Sequence, residues 1–113
     1  MTRLVLVALA FAALTGCTRN TATFVLSNDA DEPILSATVE VGGPIVELGR
    51  IVPGGRATGS LAVGSDADYH FTVRFQSGRV LDRRLGYVTS GADFHDEFSV
   101  SETDISMKRV SVD

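Results

Sequence analysis

Hydrophobic and polar residues alternate with a period of two along most of the chain after its first twenty residues. The clearest example is the segment 69–76, in which Tyr69, Phe71, Val73 and Phe75 fall on one face and polar residues on the other. Because successive side chains of a strand point to opposite faces, this alternation predicts a half-buried antiparallel strand. The same period predicts a strand at 35–41, and less regular runs predict others at 23–27, 45–48, 57–63, 80–88, 94–100 and 105–112.

Turn-forming residues separate these runs. The segments 28–33, 42–44, 53–55, 64–66, 77–78 and 90–93 are rich in Gly, Pro, Asn, Asp and Ser. Proline fixes φ and glycine permits positive φ, so such clusters mark tight connections. After the leader, no stretch of ten residues carries a helical stripe. The pattern therefore predicts an all-β fold, a seven- to eight-stranded antiparallel β-sandwich of immunoglobulin-like or transthyretin-like topology, with a small barrel as the alternative.

The alternation also predicts which side chains form the core between the two sheets. The predicted core consists of Phe24, Leu26, Leu35, Val39, Val41, Leu48, Leu61, Tyr69, Phe71, Val73, Phe75, Leu85, Tyr87, Phe98 and Ile105.

The first sixteen residues follow a different pattern, that of an export signal. Arg3 precedes an unbroken apolar run at residues 4–13. Ten residues span only about 15 Å as a helix, half of a hydrocarbon core of about 30 Å, so the run suits a signal peptide better than a transmembrane helix. A cleaved signal peptide is therefore expected at residues 1–16.

The four residues that follow the apolar run, Leu14-Thr15-Gly16-Cys17, resemble the lipobox of bacterial lipoproteins. The resemblance implies cleavage before Cys17 and attachment of diacylglycerol, often with a further acyl chain such as palmitate, to this single cysteine. Two or more acyl chains hold a protein stably on a membrane. The implied organisation is a signal peptide at 1–16, a lipidated tether at 17–21 and a β-sandwich domain at 22–113.

The resemblance also implies a location in the cell envelope. Thr18 stands where the family's inner-membrane retention signal is Asp, which favours the periplasmic face of the outer membrane in a Gram-negative organism. The segments 48–54 and 86–91 are similar to stretches of small exported envelope lipoproteins, a similarity that carries no activity with it.

Charge and composition bear on the choice of partner. The chain has a formal net charge of −4. Nucleic-acid binding relies on clustered Lys and Arg that neutralise phosphates, so the acidic balance argues against it. The expected partners are the membrane, through lipid on Cys17, and another envelope protein.

Few residues are grouped in a way that suggests chemistry, and no catalytic set or cofactor is predicted. Asp93, His95 and Glu97 would share one face of a strand and could hold a divalent metal, although a solvated strand face is the favoured explanation. Acidic residues cluster in the loops at 29–32 and 66–68, where calcium binding competes with ordinary turn chemistry.

The arginines Arg79, Arg83 and Arg84 form the one basic concentration. They could bind an anionic partner, or they could protect an edge strand from aggregation. The sequence favours a non-enzymatic interaction or structural module in the envelope. The alternative is a ligand-binding lipoprotein that recognises glycan or a small ion through its loops.

Overall fold

The computed structural model describes residues 20–113, so the expected signal peptide, the lipobox-like motif and Cys17 lie outside the described residues. This part of the chain is all-β. Its eight strands are β1 (Thr21–Asn28), β2 (Ile34–Val41), β3 (Ile45–Leu48), β4 (Arg56–Ala62), β5 (Ala67–Phe75), β6 (Val80–Val88), β7 (Phe94–Val100) and β8 (Ile105–Val112). Residues 20–113 contain no helix with the length and hydropathy that crossing a bilayer requires.

The strands form two four-stranded sheets that pack face to face. Sheet A has the order β4-β1-β7-β8 and sheet B the order β3-β2-β5-β6. The predicted β-sandwich is therefore confirmed. The order differs from that of immunoglobulin constant domains, in which the first strand neighbours the second. A division into two sheets of four strands fits the transthyretin-like alternative.

One pair of strands departs from the predicted antiparallel arrangement. β1 pairs with β7 in parallel, with Ala22 opposite Phe94 and Asn28 opposite Val100. All other pairs are antiparallel. Because β1 lies between β4 and β7, the strand that opens the domain is an inner strand of its sheet.

An aromatic cluster forms the centre of the core. The rings of Phe24, Tyr69, Phe71 and Phe98 are buried, and their centroids lie 4.5 to 6.4 Å apart, mostly in edge-to-face contacts. Such contacts add about 0.5–1.5 kcal/mol per pair to the burial of the rings. The cluster draws side chains from both sheets and thereby joins them.

Most of the predicted core residues are buried, as the alternation requires. The buried ones are Phe24, Leu26, Val39, Val41, Leu48, Leu61, Tyr69, Phe71, Val73, Phe75, Phe98 and Ile105, and Leu85 is half-buried.

Leu35 was expected in the core, and that expectation is wrong. The register between β2 and β5 shifts between Ile34 and Ser36, and Leu35 is 40% exposed while Ile34 is fully buried. A bulge inserts one unpaired residue and changes which side chains face the core. The alternation from Ala37 onward could not reveal this shift.

Tyr87 was also expected in the core and is 55% exposed. Tyr69 of β5 lies opposite Leu85, whereas Asp68 lies opposite Tyr87, so Gly86 is the extra residue of a second bulge. Gly86 has a φ of 77°. Glycine occupies this left-handed region without strain. The bulge turns Tyr87 outward and Val88 inward.

The domain begins within the segment expected to be a tether. The carbonyl of Asn20 accepts a hydrogen bond from Val63 N at 2.7 Å, and its side-chain oxygen accepts one from Gly91 N. β1 then starts at Thr21. Residues 20 and 21 are therefore fixed to the same end of the sandwich as the β4–β5 and β6–β7 connections.

Candidate functional site

The three residues proposed as metal ligands do not converge in the structure. Asp93 Oδ1 accepts a hydrogen bond from Thr21 N at 3.1 Å, and His95 Nε2 lies 3.4 Å from Asp113 Oδ2. Glu97 is exposed on the outer face of β7. Across residues 20–113, no group of three His, Cys, Asp or Glu side chains is placed to hold a metal ion.

The acidic loop at 29–32 is tied to neighbouring loops. Glu32 accepts hydrogen bonds from Ser77 N at 2.9 Å and Ser77 Oγ at 3.1 Å, and Arg79 Nη2 lies 3.2 Å from it. The backbone N–H of Ser77 is the main cause that lowers the pKa of Glu32, and Arg79 adds to it. The Glu32 oxygens thus accept hydrogen bonds from protein donors, and calcium binding, the less favoured interpretation of this loop, stays untested.

The three arginines lie along β6 or just before it, and each has an acidic neighbour. Arg79 is paired with Glu32 and stacks on the Phe75 ring at 4.2 Å. Arg83 Nε donates to Asp104 at 3.0 Å, and Arg84 lies 3.6 Å from Asp68. Because β6 is an edge strand, this placement accords with the edge-protection interpretation.

A buried polar group that the sequence analysis overlooked joins the two sheets beside β6 and β8. The Asp96 side chain, which is fully buried, accepts a hydrogen bond from Tyr69 Oη at 2.8 Å and two from Arg109, at 2.8 and 3.1 Å. Asp96 has the same strand phase as Phe94 and Phe98. A carboxylate at a position where the alternation predicts an apolar, inward-facing side chain was the sequence signal that could have identified Asp96.

The surroundings of this group favour a structural role. Burial raises the pKa of Tyr69 well above its ordinary value, and the hydrogen bond to Asp96 adds to the increase. The hydrogen bonds to Asp96 also raise the pKa of Arg109. Arg109 further donates to the carbonyl of Tyr87 at 2.9 Å and lies over the Phe94 ring at 4.7 Å. Within the described residues no buried side-chain nitrogen or oxygen lacks a hydrogen-bond partner, and this group ties β5, β6, β7 and β8 together.

Asn28, the last residue of β1, is a second buried polar residue. Its Nδ2 donates to the carbonyls of Glu32 and Ile51, at 3.0 and 2.9 Å, and its Oδ1 accepts from Ala30 N at 3.0 Å. These bonds fix the β1–β2 loop against the β3–β4 connection. The loops at this end are consequently held to one another by specific bonds.

β4 is an edge strand of sheet A, and only one side of its backbone is bonded to β1. Asn28 N donates to Gly55 O at 2.9 Å, and Val63 N donates to Asn20 O at 2.7 Å, which marks hydrogen-bonded pairs at both ends of the β1–β4 ladder. Such pairs alternate in an antiparallel ladder. The odd-numbered residues of β4 therefore bond to β1, and the even-numbered ones direct N–H and C=O away from it.

These outward groups form the site that we call the β4 edge: the backbone of Arg56, Thr58, Ser60 and Ala62. β4 is the terminal strand of its sheet, and within the described chain no backbone bond outside the strand ladders reaches these groups. Its register with β1 runs unbroken from Ala62 to Arg56. The strand carries one charge, Arg56, at its first position.

Close packing beneath the strand holds β4 against the core. A Cβ added to Gly59 would lie 2.4 Å from Cζ of Phe24, so only glycine allows β4 to lie directly on that ring. Since Phe24 belongs to the aromatic cluster, the core itself sets the position of the strand. No sequence signal other than Gly59 within an alternating run indicated this contact.

The other edges carry features that oppose pairing. β6 has Asp82, Arg83 and Arg84 in succession and a bulge opposite Asp68 and Tyr69. β8 has Lys108 and Arg109 and a register shift opposite His95 and Asp96. β3 is only four residues long. Charges, bulges and short length are the ordinary means of blunting a sheet edge, whereas β4 has seven residues, no register shift and a single charge at its first position.

The surface of residues 20–113 has no pocket. Recognition of glycan or a small ion by the loops therefore stays a prediction without a located site.

His70, on the outer face of sheet B, is half-buried, with Nε2 2.8 Å from Asp82 Oδ1 and Nδ1 3.6 Å from Glu40 Oε1.

Comparison with known proteins identifies the fold. No family model and no curated protein matches the chain. A protein from Eubacterium rectale of known structure is similar, with a TM-score of 0.59, 17% identity, and coverage of 80% of this chain and 88% of that one. A candidate cell adhesion protein from Bacteroides ovatus has a TM-score of 0.50 and 12% identity, over 83% of this chain but 45% of its own. Identities this low show a shared fold alone.

Proposed function

We propose that this chain is a lipid-anchored protein of the cell envelope whose β-sandwich is a non-enzymatic module that binds protein through the β4 edge. The observation that carries the proposal is the combination of outward N–H and C=O groups, unbroken register and near absence of charge along Arg56–Ala62. An extended segment can add to such an edge as a further strand, with affinity supplied by main-chain hydrogen bonds.

The sequence around Cys17 supports the anchor. Only two residues separate Cys17 from Asn20, whose backbone is bonded to Val63. Three virtual bonds of extended chain reach at most about 11 Å. Acyl chains on Cys17 would therefore hold the β1 end of the sandwich close to the bilayer surface, and the β4 edge would run away from it.

The arrangement of loops and core supports binding by a preformed surface. Asn28 and Glu32 tie the connections at the far end of the sandwich to one another, and Gly59 fixes β4 on Phe24. A surface that is already ordered loses little entropy on binding. The Bacteroides ovatus protein, a candidate for cell adhesion, has a domain of similar fold, and adhesion is a function of the class proposed here.

The anchor is tested by intact mass spectrometry of the native protein. We expect an N-terminus at Cys17 carrying the mass of diacylglycerol, with or without a third acyl chain, and we expect Cys17→Ser to be released from membranes in alkaline carbonate. A native N-terminus elsewhere, or one without fatty-acid mass, would contradict the proposal.

The binding surface is tested by placing a photo-activatable residue at Ser60 in the full-length protein and irradiating living cells. Ser60 lies on the β4 edge, so a discrete cross-linked species is expected. The matched control is Arg74, which is exposed on the central strand β5 of the other sheet. Equal cross-linking at both positions, or none at Ser60, would overturn the assignment of the edge.

A further inference from the structure

Four of the seven large apolar side chains that are exposed in residues 20–113 lie at one end of the sandwich. We call it the anchor end: the start of β1, the end of β8 and the connections β2–β3, β4–β5 and β6–β7. The four side chains, which are 50 to 59% exposed, are those of Ile45, Tyr87, Val110 and Val112. Each stands at the end of its strand or within two residues of it.

We infer that the anchor end stands directly on a phospholipid bilayer, with these four side chains in the headgroup region. The inference rests on the proposed lipid anchor at Cys17 and deepens it. Acyl chains would hold the protein at the membrane, and the apolar side chains of the domain would fix its orientation there.

The point at which the tether joins the domain lies between two groups of apolar side chains. The backbone and side-chain oxygens of Asn20 accept hydrogen bonds from Val63 and Gly91, which belong to the β4–β5 and β6–β7 connections. Ile45 opens β3 and Tyr87 closes β6, and these strands are the two opposite edges of sheet B. An end-on orientation therefore brings an apolar contact to the membrane on each side of the tether.

The group on the side of β6 and β8 is compact, although the two strands belong to different sheets. Arg109 Nη2 donates to the carbonyl of Tyr87 at 2.9 Å, which brings the ends of these strands together. Val110 is the extra residue where the register of β8 shifts between Arg109 and Ser111. Tyrosine suits such a position, because its ring is apolar and its hydroxyl stays in contact with water and headgroups. The bulges of β6 and β8 thus each expose an apolar side chain at the anchor end.

The length of the tether selects the bilayer as the surface that covers this end. Asn20 follows Cys17 by three residues, a reach of at most about 11 Å. Apolar faces of interfacial segments enter a membrane by about 5–10 Å. Val110 and Val112 are separated by about 7 Å along β8, so both fit within a layer of that depth.

The charges of the anchor end indicate which lipid it contacts. Its segments contain no Lys or Arg; they are 41–45, 62–68, 87–93 and 110–113. Attraction to anionic lipid depends on basic residues near the surface, so the contact would be apolar and made with zwitterionic lipid. The exposed carboxylate of Asp113 limits this contact to the headgroup region, because a carboxylate is costly to transfer into hydrocarbon. At the far end, by contrast, Val52 stands between Arg50 and Arg56.

Single tryptophans test the inference, because the chain has none of its own. Lipidated full-length Ile45→Trp and Val110→Trp are reconstituted in phosphatidylcholine vesicles that carry bromine on the acyl chains close to the headgroup. We expect the emission of both variants to shift to shorter wavelength and to be quenched by the bromine. Circular dichroism melting shows that each variant is folded.

The matched control is Val52→Trp, since Val52 is 54% exposed at the far end of the sandwich. Its neighbour Ile51 pairs with Ile34, and β2 separates Ile34 from Val41 at the anchor end by about 24 Å. Val52→Trp is therefore expected to keep the emission of a water-exposed tryptophan, without quenching.

Flotation of the vesicles separates failure of the inference from failure of the anchor. Unquenched Ile45→Trp and Val110→Trp in protein that floats with the vesicles would overturn the inference and leave the anchor intact. Quenching that requires added phosphatidylglycerol, or that disappears in high salt, would also overturn it, because the contact would then be ionic. If the wild type carries no acyl chain and does not float, the anchor fails and the inference fails with it.

A photo-activatable residue at Val112 tests the same contact in living cells. Irradiation is expected to give a lipid adduct, detected as added lipid mass on the peptide that contains position 112. A discrete cross-linked protein instead of lipid would show that the anchor end binds protein, and the inference would be wrong.

Discussion

The two sides of the sandwich are closed by different physical means. On the side of β6 and β8, the Asp96 carboxylate joins Tyr69 and Arg109 across the sheets, and bulges and arginines cover the outer edges. On the side of β4, the strand is held by apolar packing of Gly59 on Phe24, and its outer backbone is open. The side of the sandwich that contains the buried polar group thus has protected edge strands. The side held by apolar packing has an edge strand whose outer backbone groups are open for pairing.

Asp96→Ala should remove the buried polar group on the side of β6 and β8, and it should have the largest effect on stability. It leaves the buried Tyr69 hydroxyl and the Arg109 guanidinium without their partner. Breaking a buried pair costs about 3–5 kcal/mol. Because Arg109 is 34% exposed and can regain water, we expect the low end, about 3 kcal/mol, from urea unfolding.

The control for this change is Asp104→Ala, which removes the pair between Asp104 and Arg83. The Asp104 side chain is 69% exposed, and exposed pairs contribute about 0–1 kcal/mol. Equal losses in the two variants would show that Asp96 is not a tie between the sheets.

Gly59→Ala should disrupt the apolar packing of β4 on Phe24. The added methyl would overlap the Phe24 ring, and overpacking a core costs about 1–3 kcal/mol. The free energy of unfolding should fall by that amount, and the unbroken pairing of β4 with β1 should be disturbed. Gly64→Ala is the control, since a Cβ at Gly64 meets no atom within 4 Å. A Gly59→Ala variant as stable as the wild type would mean that β4 does not depend on this contact.

Glu32→Gln should change how the free energy of unfolding depends on pH. The folded-state pKa of Glu32 is lowered from its ordinary value of 4.5, so its contribution to stability is present above that pH and is lost as the pH falls through the lowered pKa. The difference in unfolding free energy between wild type and Glu32→Gln should therefore be larger at pH 7 than at pH 3. Glu97→Gln, on an exposed strand face, serves as the reference. A difference that is unchanged or grows in acid would contradict the role given to the Ser77 and Arg79 bonds.

Arg84→Thr should make the β6 edge more like the β4 edge, with the smallest effect on stability. Arg84 is 62% exposed, so we expect the unfolding free energy to change by no more than about 0.5 kcal/mol. Light scattering on heating should show faster aggregation than in the wild type, because a charge that discourages edge pairing is gone. Thr58→Lys should slow aggregation. If Arg84→Thr leaves scattering unchanged, charge is not what protects β6.

The period of two predicted the sandwich, and it placed β3, β6, β7 and β8 at the residues where the structure has them. It failed at Leu35 and Tyr87 because each follows or adjoins a bulge, and one inserted residue exchanges the inner and outer faces. A regular alternation cannot show where such an insertion occurs.

The features that define the candidate site were less accessible from sequence. Which strand forms an edge depends on pairing between distant segments, and the parallel contact of β1 with β7 has no local signal. The arginines at 79, 83 and 84 were identified because charge is visible in the sequence. The β4 edge was not identified, because what distinguishes it is a lack of charge and of irregularity.

The position of β1 also governs the order in which the domain can fold. Its first residue, Thr21, donates to Asp93, 72 residues later in the chain. A nascent chain that ends before β7 leaves β1 with one neighbour, and sheet A cannot be completed from the N-terminus onward. Contacts between such distant segments close slowly, on timescales of milliseconds to seconds for sandwiches of this kind. Almost the whole polypeptide must therefore be available before its first strand is paired on both sides.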